Sequence, residues 1–125
     1  MRTKASVTYI KRTLALKRLG FRNYREYLRS PLWFSIRREV LKQRTCCSCR
    51  KRRSTQVHHS KYDDCTLSGE SLVHLHPVCR KCHTYAERDR GRKTTLEEAN
   101  ERLGLNMPAV KEVRLMIREM FEEST

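Results

Sequence analysis

Apolar side chains recur at helical spacing near the start of the chain. Val7, Ile10, Leu14 and Leu19 follow a 3.6-residue period, with Lys4, Lys11, Arg12, Lys17 and Arg18 elsewhere on the turn. Gly20 supplies a stop, so the pattern predicts a helix over residues 4–19. A short helical turn is predicted at 24–28. Ser30 and Pro31 then read as the N-cap and first-turn proline of a helix running to about residue 43, with Leu32, Trp33, Ile36, Val40 and Leu41 along one side. Between 45 and 78 the pattern changes to Cys, His, β-branched and turn residues, which predicts a small hairpin with a long loop. A helix restarts near Arg80 and ends before Gly91. Thr95-Leu96-Glu97-Glu98 has capping-box spacing, with Gly104 as the matching stop. Asn106-Met107-Pro108 opens a last amphipathic helix bearing Val110, Val113, Met116 or Ile117, and Met120.

These elements describe an α+β chain with little apolar material. Hydrophobic residues make up 38% of 125 positions and charged residues 34%, and the mean hydropathy is −0.79. A chain of this size with so modest a core often needs a staple such as a metal or a partner. No apolar run is long enough to span a membrane. The first residues lack the apolar stretch of a signal peptide, which predicts a cytoplasmic protein with reduced cysteines.

Charge sharpens the picture because it is one-sided. The net +14 divides into +15 for residues 1–55, +2 for 56–95 and −3 for 96–125. Counterion release drives such a basic segment onto a phosphate backbone, so a nucleic acid is the expected partner. The acidic C-terminal part with its amphipathic helix fits a protein surface better, either a second copy or another partner.

The cysteines fall in two CxxC pairs, Cys46/Cys49 and Cys79/Cys82. Each knuckle aims two thiolates at one ion, and two knuckles complete a tetrahedral shell for a structural zinc. Cys47 and Cys65 fall outside that pattern and read as spare thiols. All five histidines lie between 58 and 83. His58 and His59 are adjacent, so at the end of a strand their side chains take opposite faces. His83 follows Cys82 at the start of a helix, with Glu87 four residues on along the same face. His58, His83 and Glu87 could thus meet at a divalent cation. His59 would then be free as a general base, a role suited to an imidazole.

Val57-His58-His59-Ser60-Lys61-Tyr62, Gly69-Glu70, His74-Leu75 and Cys79-Arg80-Lys81-Cys82-His83 together resemble the HNH endonucleases of the ββα-metal (His-Me finger) class. The preceding Tyr24, Tyr27, Leu28, Ser30, Trp33 and Arg37 resemble the lead-in helix of phage and bacterial members. The likeness covers roughly residues 24–88. It implies a ββα-metal core stapled by the four-cysteine zinc site, flanked by basic N-terminal helices and amphipathic C-terminal ones. The implied division is a helical arm at 1–23, a nuclease core at 24–91 and a helical extension at 92–125.

The resemblance further implies that His58 and His83 hold a catalytic Mg²⁺ or Mn²⁺ and that His59 activates water. His74 stands where the family usually has Asn or Asp, a position that organises the loop and orients the base. Glu87 stands where some members have a further His, and a carboxylate suits a hard cation. The expected reaction is hydrolysis of DNA phosphodiesters. Arg50, Lys51, Arg52 and Arg53 after the first knuckle, with Arg80, Lys81 and Arg88 on the second, are candidates for backbone contacts. Tyr24, Tyr27 and Trp33 could stack on bases, although their helical spacing with Leu28 and Ile36 fits packing. A zinc-stabilised nucleic-acid-binding module without catalysis is the alternative on the same cysteines and basic arm.

Overall fold

The structure is a computed structural model that describes residues 4–105, with side chains from residue 7. The amphipathic helix expected from Asn106 onward, and any dimer through it, lie outside the described residues. Three helices open the chain: α1 Lys4–Arg18, α2 Tyr24–Leu28 and α3 Pro31–Val40. They are followed by β1 Gln56–His59, α4 Asp64–Ser68, β2 Leu75–Val78 and α5 Arg80–Glu87, then β3 Arg88–Asp89, β4 Arg92–Lys93 and α6 Leu96–Arg102. The arrangement is α+β, with helices around two small antiparallel sheets, β1–β2 and β3–β4. Among the described residues no helix is long and apolar enough to cross a membrane.

The helix starts follow from local chemistry. Asn23 Oδ1 accepts from Glu26 N at 2.8 Å, Ser30 Oγ from Trp33 N at 3.1 Å, and Asp63 Oδ1 from Thr66 N at 2.8 Å. Each bond satisfies one of the amides that a helix start leaves open. The expected capping box forms in full: Thr95 Oγ1 accepts from Glu98 N, and Glu98 Oε1 from Thr95 N. Helix α3 stops at Val40, short of residue 43.

Two elements were not expected. Helix α4 sits inside the hairpin loop, capped by Asp63 and closed by Gly69 at φ +81°. The helix from Arg80 ends at Glu87, after which β3 and β4 pair through Arg90 and Gly91, both at positive φ. Two left-handed residues in a two-residue turn match the twist of a hairpin.

The strands pair as Gln56↔Val78, Val57↔Pro77, His58↔His76 and His59↔Leu75. Alternation turns Val57 and His59 toward α3 and turns Gln56 and His58 toward α5. Under the first face lies the larger core: Leu16, Tyr27, Trp33, Ile36, Leu67 and Leu75. Tyr27 is fully buried, and its hydroxyl donates to Leu67 O at 2.8 Å. A smaller cluster joins Cys46, Val78 and Cys79 to Ala86, Ala99 and Leu103. Packing therefore crosses both expected boundaries. Helix α1 places Ala15 and Leu16 in the larger core, and α6 closes the smaller cluster.

Candidate metal centres

The first knuckle is a tight turn in which Arg50 N bonds Cys46 O at 3.0 Å with Arg50 itself at φ +59°. The second opens α5, where Cys79 is the N-cap and its Sγ accepts from Cys82 N at 3.4 Å. The hairpin brings the two together: Cys47 N reaches Pro77 O at 2.9 Å and Thr55 N reaches Val78 O at 3.0 Å. The sulfurs of Cys46, Cys49, Cys79 and Cys82 then lie within 4.8 Å of one another, with Cys49 and Cys79 at 4.0 Å. A tetrahedron of thiolates around zinc has edges of about 3.8 Å, so the four residues fit a structural metal such as zinc. All six cysteines are free thiols, and Cys47 and Cys65 lie outside the cluster.

Protonation agrees with that assignment. The backbone amides of Arg52 and Lys51 pull the Cys49 thiol down to about 6, while burial and the neighbouring sulfurs push Cys82 up to about 12. Four thiolates this close need a cation to coexist. Arg52 faces the Cys79 and Cys49 sulfurs, which raise its own pKa. Arg52 is nonetheless exposed, as are Arg50, Lys51 and Arg53 of the same basic turn. Arg80 and Lys81 are exposed on the first turn of α5, and Arg88 is exposed just beyond its end. A groove of about 860 Å³ between α3 and the knuckle loop adds Arg37, Arg38, Lys42 and Arg44 to Arg53, with Phe34 among them.

A second cluster forms where β1 meets α5. Ligand atoms of His58, His83 and Glu87 also lie within 4.8 Å of one another, as expected. His83 and Glu87 are one turn apart, with His83 Nε2 3.1 Å from Glu87 Oε1. This contact, with His58 and Lys93 nearby, holds the Glu87 carboxyl below its usual range.

Two side-chain amides meet the imidazoles. His83 Nδ1 lies 2.6 Å from Gln56 Oε1, and His58 Nε2 lies 2.7 Å from Asn100 Oδ1. Asn100 Nδ2 donates to Ser60 O at 3.1 Å, so its oxygen is the atom turned to His58. Amide oxygens only accept, so His58 carries its proton at Nε2 and keeps Nδ1 bare, while His83 is held between Gln56 at Nδ1 and Glu87 at Nε2. Burial also lowers the His58 pKa. Two imidazoles beside a carboxylate are a donor set that could hold a metal ion. Gln56 and Asn100 were missed by sequence reasoning, since an amide in a strand or helix carries no signal of what it will face.

His59 is not at that cluster. Its ring stacks on Trp33 at 4.9 Å and on Tyr62 at 5.2 Å, with Tyr24 and Tyr27 edge-on at 5.9 and 6.4 Å. It is 3% exposed. Tyr24 Oη lies 3.3 Å from its Nδ1, and its Nε2 is buried with no partner. Burial, with nearby positive groups, pushes its pKa down to about 3. Tyr24, Tyr27 and Trp33 are thus packing residues, as their spacing suggested. His74 does not reach His59 either; its carbonyl takes the Ser60 N–H at 2.9 Å and its Nδ1 lies 3.5 Å from Ser60 Oγ. His76 faces the same side as His58, with ring centroids 6.3 Å apart and Nε2 2.9 Å from Ser60 Oγ.

A cavity of about 140 Å³ adjoins the cluster, lined by Arg12, Tyr24, His58, Tyr62, Glu87 and Lys93 among others. No protein-family model matches the chain, and neither a curated protein nor a solved structure proves similar to it.

Proposed function

We propose that the chain is a metal-dependent endonuclease that hydrolyses DNA phosphodiesters, with β1, β2 and α5 as a ββα-metal core of HNH type. What carries this reading is the second cluster, in which His58, His83 and Glu87 converge with their imidazoles held by Asn100 and Gln56. Three protein ligands leave positions for water and phosphate, whereas a purely structural site is closed. A divalent cation there would polarise a phosphate oxygen and stabilise the leaving 3′ oxygen. The four-cysteine cluster would hold a structural zinc that keeps the hairpin against α5. Arg50, Lys51, Arg52, Arg53, Arg80, Lys81 and Arg88 supply exposed charge for backbone contact.

Two imidazoles compete to take the proton from water. His59, which the HNH resemblance assigns, meets the cavity through the Tyr24 hydroxyl and becomes a direct base when its aromatic box opens. His76 faces the cluster side without such a screen, and burial with His58 and His74 holds its pKa down at about 4, so it is neutral and able to accept. A supercoiled plasmid incubated with Mg²⁺ or Mn²⁺ tests the reading. The parent nicks it, His83→Ala does not, and the base is whichever of His59→Phe and His76→Gln abolishes nicking. No nicking by the parent under any divalent ion overturns the proposal.

The sealed box around His59 favours one other reading, a zinc-stabilised DNA-binding module in which His59 serves packing. That reading predicts DNA retention without turnover, and retention unchanged in His83→Ala.

A further inference from the structure

Among the described residues, Arg12 is a cation of the basic arm that is drawn into the molecule. Its guanidinium lies 4.1 Å over the Tyr24 ring, 4.6 Å over Tyr9 and 5.2 Å over Tyr62. Its Nε is buried and has no hydrogen-bond partner. None of the ion pairs among the described residues includes it. Lys93 comes from β4, far along the chain, and its Nζ lies 4.7 Å from the same Tyr9 ring. One aromatic ring therefore collects two like charges at the mouth of one cavity. Aromatic faces attract cations but give them no counter-charge. The carboxylate in that cavity, Glu87, already contacts His83.

The cavity also has a size. At about 140 Å³ it is well below the roughly 300–1,000 Å³ of a small-molecule site, so it accepts a group and not a whole nucleotide. His58 and Glu87 form part of its wall. Any anion seated there would sit beside the cation cluster.

We infer that Arg12 and Lys93 form a phosphate seat that holds the scissile phosphodiester against the cation bound by His58, His83 and Glu87. The inference rests on the hydrolytic reading for its substrate, but the seat is a property of α1 and β4. Arg12 offers an unused N–H to a phosphate oxygen, and Lys93 adds a second charge beside the same Tyr9 ring.

The probe is inorganic phosphate, followed by ³¹P resonance with and without Mn²⁺. In the parent, phosphate binds and its resonance broadens when Mn²⁺ occupies the site. Arg12→Gln and Lys93→Gln each weaken phosphate binding by roughly tenfold to a hundredfold, as expected for one charge-assisted hydrogen bond. Mn²⁺ affinity and zinc content stay at parent values in both variants. Lys17→Gln, an exposed change on the same helix, leaves phosphate binding unchanged. Should Arg12→Gln lose its zinc and fail to fold, Lys93→Gln, whose side chain is exposed, carries the test. Equal phosphate titrations in parent and Lys93→Gln overturn the seat. A parent that binds phosphate as described but never cuts plasmid retains the seat and loses the hydrolytic reading. A parent that cuts, with both variants cutting equally well, does the reverse.

Discussion

The ring of His58 and the side-chain amide of Asn100 meet at 2.7 Å across forty-two residues of chain. The contact ties α6 to the middle of β1 and decides which imidazole nitrogen carries the proton. Asn100→Leu leaves Nε2 without an acceptor and frees the ring to rotate or change tautomer. Affinity for Mn²⁺ at the His58–His83–Glu87 cluster should fall about 10–100-fold, the usual cost of losing such a partner. Zinc content should stay at one ion per chain. Titration with Mn²⁺ followed by electron paramagnetic resonance reads the first quantity and metal analysis the second.

His59 makes a pH prediction. Its folded pKa, about 3, lies below the ordinary 6.5, so the unfolded chain binds a proton that the folded one refuses. Stability from this group is complete above about pH 6.5 and is lost as pH falls toward 3, at up to about 1.4 kcal/mol per pH unit. His59→Phe keeps an aromatic ring against Trp33 and Tyr62 and removes the titration. Urea unfolding at pH 7, 6 and 5 should show a shallower acid loss in the variant than in the parent, and parallel losses would refute the burial argument.

Removal of a metal held by the four cysteines should unfold the hairpin, because Cys46 and Cys79 are also part of the smaller apolar cluster. Cys79→Ser, or a strong chelator on the parent, is expected to abolish cooperative thermal unfolding. Cys65→Ser, at an exposed thiol away from the cluster, should leave the melting temperature within a degree or two.

Gly69 is doubly constrained. It closes α4 at φ +81°, and a Cβ there would stand 2.7 Å from Ile36 Cγ1 in the larger core. Gly69→Ala should therefore cost about 2–4 kcal/mol, the left-handed strain and the overpacking acting together. Gly91→Ala has the same sign of φ but nothing within 4 Å, so its cost should be limited to about 1 kcal/mol. Comparing the two denaturation midpoints separates the terms.

Spacing made part of this molecule legible. The two CxxC pairs and the His83–Glu87 turn carry their geometry in local periodicity, so the sulfur cluster and the His83–Glu87 contact were readable before any fold. Alternation along β1 correctly sent His58 and His59 to opposite faces. What it could not say was that the second face is closed: that follows from α1 and α3 bringing Arg12 and Trp33 over the hairpin, contacts between distant segments with no sequence signature. The Arg90–Gly91 turn was hidden because Arg in a left-handed conformation is uncommon, and only Gly91 hinted at it.

The ladder between β1 and β2 is only four residues long, so its register rests on the few side chains it buries, Val57, Leu75 and Val78 among them. A one-place slip would exchange the two neighbouring histidines, swinging His59 out to α5 and driving His58 in among the aromatic rings. The knuckles sit at the base of both strands, where Cys47 holds Pro77 and Thr55 holds Val78. A metal gripping those knuckles would thus act as a registration pin, choosing from a distance which of two neighbouring imidazoles turns to His83 and Asn100 and which to the aromatic rings.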